Sequence, residues 1–196
     1  MFYDGAKCKN GAGAGVVLVS PEGDSLRYAI QIDFTTNNIV EYEGLLTGLR
    51  IVISLGIRRL LVKGDSEVVA QQTQKGYRAT NENMAAYLQT YRRLETKFDG
   101  LEVQFIPRKL NSDADTLASR AAERQLLPRD VLVEVVIKPS IPINRLGPNP
   151  TLDPSSDEAI LSEFLGESML GDTARAATLV GNGENWMDLI RAYLTN

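Results

Sequence analysis

The chain has no histidine among its 196 residues. That excludes a Ser-His-Asp triad, a Cys-His pair and histidine-ligated zinc. Cys8 is its only cysteine, which leaves no intramolecular disulfide and no cysteine zinc site. No stretch approaches the ~20 apolar residues of a membrane span, and no signal peptide is visible. A membrane partner is therefore not expected, and an intracellular setting, cytoplasm or nucleus, is. Acid–base or metal chemistry must then rest on carboxylates, which prefer hard ions such as Mg²⁺ or Mn²⁺.

The hydrophobic content of 43% is ordinary for a globular chain. The net charge of −4 conceals an asymmetry. Up to Arg124 there are 16 Lys and Arg against 15 Asp and Glu, and the remainder has 5 against 10. If a few carboxylates of the first segment hold metal, the surface left over is net basic and suits a polyanion.

Periodicity predicts a β-meander first. Met1-Phe2-Tyr3 leads into Asp4, Ala14–Ser20 is apolar and β-branched, and Leu26–Phe34 alternates. Thr35, Thr36, Asn37 and Asn38 form a polar cap before a helix that runs to about Leu55. Its buried stripe is Tyr42, Leu45, Leu46, Leu49, Val52 and Ile53, and Glu41 sits in its first turn. Gly44 and Gly48 each cost roughly 1 kcal/mol against Ala in a helix, so they predict close backbone packing. A strand at Arg59–Lys63, a short helix after Ser66, a longer one over Asn81–Phe98, a strand at Leu101–Ile106 and a last helix at Asn111–Glu123 complete the pattern. The order implies a mixed sheet covered by helices.

Four acids come from four separate elements. Asp4 ends the first strand, Glu41 opens the first helix, Asp65 ends the fourth strand and Asp115 lies in the last helix. Each alone has an ordinary explanation. Asp4-Gly5 reads as a turn, Asp65-Ser66 as a helix cap, Glu41 and Asp115 as helix-end charges. In an open α/β sheet, however, strand ends and helix starts meet at one edge, where ligands bind. Carboxylates gathered there raise one another's pKa. Two divalent cations would neutralise them, and paired metals are a recurring device for cleaving phosphodiesters.

Four motifs in order carry a resemblance. They are Phe-Tyr-Asp4-Gly5-Ala6 with its following Gly-Ala-Gly turn, Thr-Asn37-Asn38-x-x-Glu41-Tyr, Val-x-Gly-Asp65-Ser66-x-x-Val, and Asn111-x-x-Ala-Asp115-x-Leu-Ala. Over about Met1–Glu123 the chain resembles a type 1 ribonuclease H domain. The resemblance implies an α/β ribonuclease H-like fold with a mixed five-stranded sheet flanked by helices. It implies Asp4, Glu41, Asp65 and Asp115 as the metal-binding catalytic acids, with two Mg²⁺ ions or Mn²⁺ in their place. The implied partner is an RNA–DNA hybrid, whose RNA strand is hydrolysed to leave a 3′-hydroxyl and a 5′-phosphate. Substrate contacts would come from Gly5 and Ala6 through the backbone, from Asn37 and Asn38 in the minor groove, and from Ser66, Arg108 and Lys109 at phosphates. Many bacterial-type members carry a histidine in the loop before the last aspartate. Here that loop is Pro107-Arg108-Lys109-Leu110, as in the archaeal-like and plant-retroelement branch.

The domain expected from this reading spans 1–127. A connector follows at 128–154, holding a short β-prone run, Val131–Ile137, and five of the eight prolines in Pro139–Pro154. Residues 155–196 read as an acidic tail, weakly helical or partly disordered. Connector and tail are similar to the stretch between ribonuclease H and integrase in plant gypsy-type LTR retrotransposon polyproteins, which implies reverse transcriptase and integrase regions as partners. Cutting after about Leu127 is expected to leave a folded domain. The competing reading is a catalytically degenerate ribonuclease H-fold module that grips nucleic acid or tethers polyprotein domains. A 3′–5′ exonuclease would want Asp-x-Glu as its first motif, and Asp4-Gly5-Ala6 argues against it.

Overall fold

The structure is a computed structural model, and it describes residues 1–9, 11–33, 37–74, 77 and 82–141, with the side chains of 37, 38 and 82 excepted. The compact unit that carries these elements takes in residues 1–53 and 57–143. A second unit is made of 54–56 and 144–196, and all of 144–196 lies outside the described residues, as does the tail expected there.

β1 (Phe2–Cys8), β2 (Gly11–Val19) and β3 (Ser25–Ile32) form the expected meander. Phe2 pairs with Val17 and Val17 with Arg27, both antiparallel. α1 (Asn37–Ser54) follows, then β4 (Arg59–Gly64), α2 (Glu67–Gln72), α3 (Glu82–Glu95) and β5 (Gly100–Phe105). A single turn of 3₁₀ helix at Arg108–Leu110 leads into α4 (Ser112–Ala122). β4 lies parallel to β1 and β5 parallel to β4.

The sheet has six strands, in the order β5-β4-β1-β2-β3-β6, where five were expected. The sixth, β6 (Val131–Val136), comes from the stretch assigned to the connector. It runs parallel to β3 with Arg27 opposite Val131 and Ile32 opposite Val136. Its pairing is the reason for the difference. β3 would otherwise leave its outer backbone groups unpaired, and Val131 packs with Val17, Ala29, Ala114, Leu117 and Ala121 in the core.

Two helices sandwich the sheet at its glycines. On one face α4 lies so close to β2 that a Cβ on Gly15 would meet the Ala114 carbonyl oxygen at 2.2 Å. On the other, Gly44 of α1 sits over Ala14, where an added Cβ would stand 2.9 Å from the Ala14 Cβ and 3.2 Å from the Asp4 carbonyl oxygen. That close approach is what Gly44 in mid-helix allows. α1 buries Tyr42, Leu45, Leu46, Leu49 and Val52 of the expected stripe, and Val40 and Ile51 besides, while Ile53, also expected there, is only half-buried. The two glycine contacts bring the start of α1 and the start of α4 to the same edge of β1, beside Asp4.

Candidate active site

Asp4 points from the middle of β1 and is only 4% exposed. Around it the structure gathers the other three acids: Asp65 just after β4, Glu41 on α1 and Asp115 on α4. Burial, a hydrogen bond to Asp65 and the charges of Glu41, Asp65 and Asp115 push the Asp4 carboxyl up to about 9. A carboxyl held protonated in this way donates to the Asp65 carboxylate. Burial and the Asp65 charge push Glu41 up to about 7, against the pull of Arg108 and of the Gly5 backbone N–H that donates to it. Helix α1 starts at Asn37, so Glu41 opens its second turn, one turn further in than the sequence reading placed it. The helix dipole therefore does less for this carboxylate than a first-turn position would.

The neighbours explain the local geometry. Gly5 is required because a Cβ there would lie 2.8 Å from the Glu41 backbone nitrogen. Asn111, 1% exposed, donates from Nδ2 to the Tyr3 carbonyl at 2.9 Å and to Asp65 Oδ1 at 3.1 Å. It thereby fastens α4 to β1 and orients Asp65. Sequence reasoning left Asn111 out of the site, although it heads the fourth motif. Arg108 donates from Nη2 to Asp115 Oδ1, and Asp4 and Asp65 also lie within its electrostatic reach. Its guanidinium is thus part of the acid cluster, where the sequence suggested a phosphate contact. Ser66 is the N-cap of α2, its Oγ accepting from the Val69 N–H at 3.4 Å.

A cleft of about 440 Å³ opens beside the acids, lined in part by Gly5, Ala6, Glu41, Ser66, Met84 and Arg108. Lys109 lies on the exposed 3₁₀ turn next to it. Asn37 and Asn38 fall in the first turn of α1, but their side chains lie outside the described residues.

Among the described residues no three acidic, histidine or cysteine side chains stand close enough to form a finished metal cage. The donor set nevertheless fits a hard divalent cation. Glu41 Oε2 and Asn111 Oδ1 are buried with no hydrogen-bond partner, and burial with neighbouring negative charge holds the Asp4 carboxyl well above its usual range. Unpartnered oxygen donors among crowded negative charge are what Mg²⁺ or Mn²⁺ would satisfy.

Comparisons with known proteins bear on the family and the fold. A family described as reverse transcriptase-like matches residues 2–121. Ribonuclease HI of Halobacterium salinarum is 30% identical over 125 residues, which are 62% of this chain and 63% of that protein. The chain therefore spans about 63% of the length of that relative. The crystal structure of RNase H1 from the same archaeon has a TM-score of 0.59 at 30% identity, covering 63% of this chain and 96% of that one. LC11-RNase H1, solved in complex with an RNA/DNA hybrid, has a TM-score of 0.57 at 27% identity, covering 63% and 95%.

Proposed function

The chain belongs to the reverse transcriptase-like family, and from that premise we propose that it is a ribonuclease H that hydrolyses the RNA strand of RNA–DNA hybrids. The observation that carries the proposal is that Glu41, Asp65 and Asp115 all act electrostatically on Asp4, with Glu41 lining an open cleft. A relative of the same fold was solved with an RNA/DNA hybrid, which supports the choice of substrate.

These four carboxylates would hold two divalent cations, Mg²⁺ or Mn²⁺, which supply an activated water and a stabilised leaving oxygen. Asn111 keeps Asp65 aimed into the site through its 3.1 Å hydrogen bond. The Gly5 backbone N–H steadies the Glu41 carboxylate. Arg108, exposed at the cleft and already paired with Asp115, brings positive charge to the hybrid backbone. Lys109 and Ser66 are proposed as further phosphate contacts. Asn37 and Asn38 are proposed to read the minor groove, where the ribose 2′-OH distinguishes RNA from DNA. The reverse transcriptase-like match supports a retroelement origin, with reverse transcriptase and integrase regions as neighbours in the parent polyprotein.

One observation favours a second reading. Asp115 is engaged by Arg108, and the acids do not form a finished cage. A module that grips the hybrid without cutting it would look the same. The purified chain incubated with labelled RNA–DNA hybrid in Mg²⁺ and in Mn²⁺, beside single-stranded RNA and duplex DNA, separates the two. Metal-dependent cutting of the hybrid's RNA alone is expected. Binding without cutting would establish the degenerate module instead.

A further inference from the structure

Past the family match, which ends at residue 121, the chain adds β6 and then returns to α1. Four residues beyond the end of β6, Ser140 is buried against that helix. Its backbone N–H donates to Glu43 Oε1 at 2.7 Å, and its hydroxyl donates to Glu43 Oε2. The same hydroxyl accepts from Arg50 Nη1 at 2.6 Å. Tyr87 of α3 donates its hydroxyl to Glu43 Oε1 at 2.6 Å. Glu43 and Tyr87 are 0% exposed, and Arg50 and Ser140 are each 7% exposed.

From this we propose that Ser140 is a positioning residue for the active site, holding α1 in the rotation and register that aim Glu41 at Asp4 and Asp65. The proposal rests on the hydrolase reading given above. Its geometry is a two-point grip. Ser140 reaches Glu43 and Arg50, which stand two turns or roughly 10 Å apart along the helix. Held at both, α1 can neither turn nor slide. Glu41 lies two residues before Glu43, about 200° round the helix at ~100° per residue. A rotation that loosened Glu43 would swing Glu41 out of the acid cluster. The opposite side has little give, because Gly44 is already against Ala14 and the Asp4 carbonyl. Glu41 itself is held only lightly, by the Gly5 backbone N–H, and its Oε2 has no partner.

The test compares Ser140→Ala, Ser140→Thr and Tyr87→Phe with the unaltered chain, at a temperature where each is folded by circular dichroism. Two readouts are taken: kcat and KM on the hybrid, and backbone amide hydrogen exchange across residues 37–46. Ser140→Ala should lower kcat about tenfold with KM within about twofold, as losing a group that orients a ligating side chain does. Exchange in residues 37–46 should quicken while the sheet amides stay protected, and Ser140→Thr should restore both. If Ser140→Ala does not fold, Tyr87→Phe removes one donor from the same carboxylate and should give a smaller shift of the same kind. A Ser140→Ala chain that melts lower yet keeps its kcat and its α1 protection would overturn the proposal, leaving Ser140 as a fastening for β6 alone. Absence of cleavage by the unaltered chain would defeat the hydrolase reading, and the exchange readout would then still decide whether Ser140 holds the helix.

Discussion

Glu41 and Glu43 stand two residues apart on one helix in opposite surroundings, Glu43 fully buried and Glu41 half-buried at the wall of the cleft. Glu43 has both carboxylate oxygens occupied, by the Ser140 N–H and hydroxyl and by the Tyr87 hydroxyl, with Arg50 within electrostatic reach. Glu41 shares its site with Asp4 and Asp65 and keeps one oxygen without a partner. A buried charge is tolerated when it is paired and hydrogen-bonded. The Glu43 cluster meets that condition from within the chain. The Glu41 cluster meets it only in part, through Arg108 and the Gly5 N–H, and under the proposed function a divalent cation would complete it. The first arrangement holds the fold together, and the second has the unmet valence that a functional site needs.

Substitutions on the two sides should therefore fail in different ways. The largest effect expected is on chemistry: Asp65→Asn should lower hybrid cleavage roughly a thousandfold, the scale of losing a charge-stabilising group from a reacting centre, with its melting temperature held or raised. Cleavage assays and thermal melts on the same samples check both halves. On the other side, Glu43→Ala takes the carboxylate from the Arg50 charge and from three donors. It should destabilise the fold by about 3–5 kcal/mol, since the buried Arg50 loses its nearby counter-charge and three donors lose their acceptor, measured by urea denaturation. Truncation after Leu127 removes β6 and Ser140 together and should destabilise the chain by a similar amount. A truncated chain as stable as the full one would show that the β3–β6 pairing contributes nothing.

A smaller effect is read by pH, where burial raises Glu43 as well as Glu41 and Asp4, and only the open cluster answers to a cation. In the metal-free folded chain Asp4 keeps its proton to about pH 9 and Glu41 to about pH 7, while unfolded carboxyls of these types ionise near 4. Between those values the folded state binds more protons than the unfolded state. Stability is then full below about pH 4 and falls as pH rises, Glu41's share going by about pH 7 and Asp4's by about pH 9. Asp4→Asn should flatten that decline, and a divalent cation should offset it. Melting curves from pH 4 to 9, with and without Mg²⁺, read it directly. A metal-free chain that grows more stable over that range would contradict the electrostatics of the open cluster.

The open cluster is legible in the sequence because each acid carries a motif: Asp4-Gly5, Asn38-x-x-Glu41, Gly-Asp65-Ser66, Asn111-x-x-Ala-Asp115. Its exact placement is not, since Asp4 lies inside β1 rather than at its end and Glu41 in the second turn of α1 rather than the first. The meander and the helices were legible from periodicity, and Gly44 and Gly48 announced a close approach that the structure makes over Ala14, Val16 and Met1. The closed cluster was not legible. Glu43 and Ser140 are 97 residues apart, and a glutamate beside an apolar stripe looks like a solvated one. Val131–Ile137 reads as β-prone in the sequence, yet the prolines after it suggest a linker and place it in a connector, whereas Val131–Val136 forms β6. What makes it a strand of the sheet is the exposed side of β3, which no local pattern reveals. The pairing of Arg108 with Asp115 is likewise not legible, because the sequence suggests only a phosphate contact for Arg108 and the pairing depends on how the 3₁₀ turn meets α4.

The most direct test sets Glu41→Gln beside the unaltered chain on one labelled RNA–DNA hybrid in Mg²⁺. The account predicts that the unaltered chain cuts the RNA strand to 3′-hydroxyl ends, and that Glu41→Gln binds the hybrid, melts no lower and does not cut. Cleavage by Glu41→Gln at the unaltered rate would contradict it.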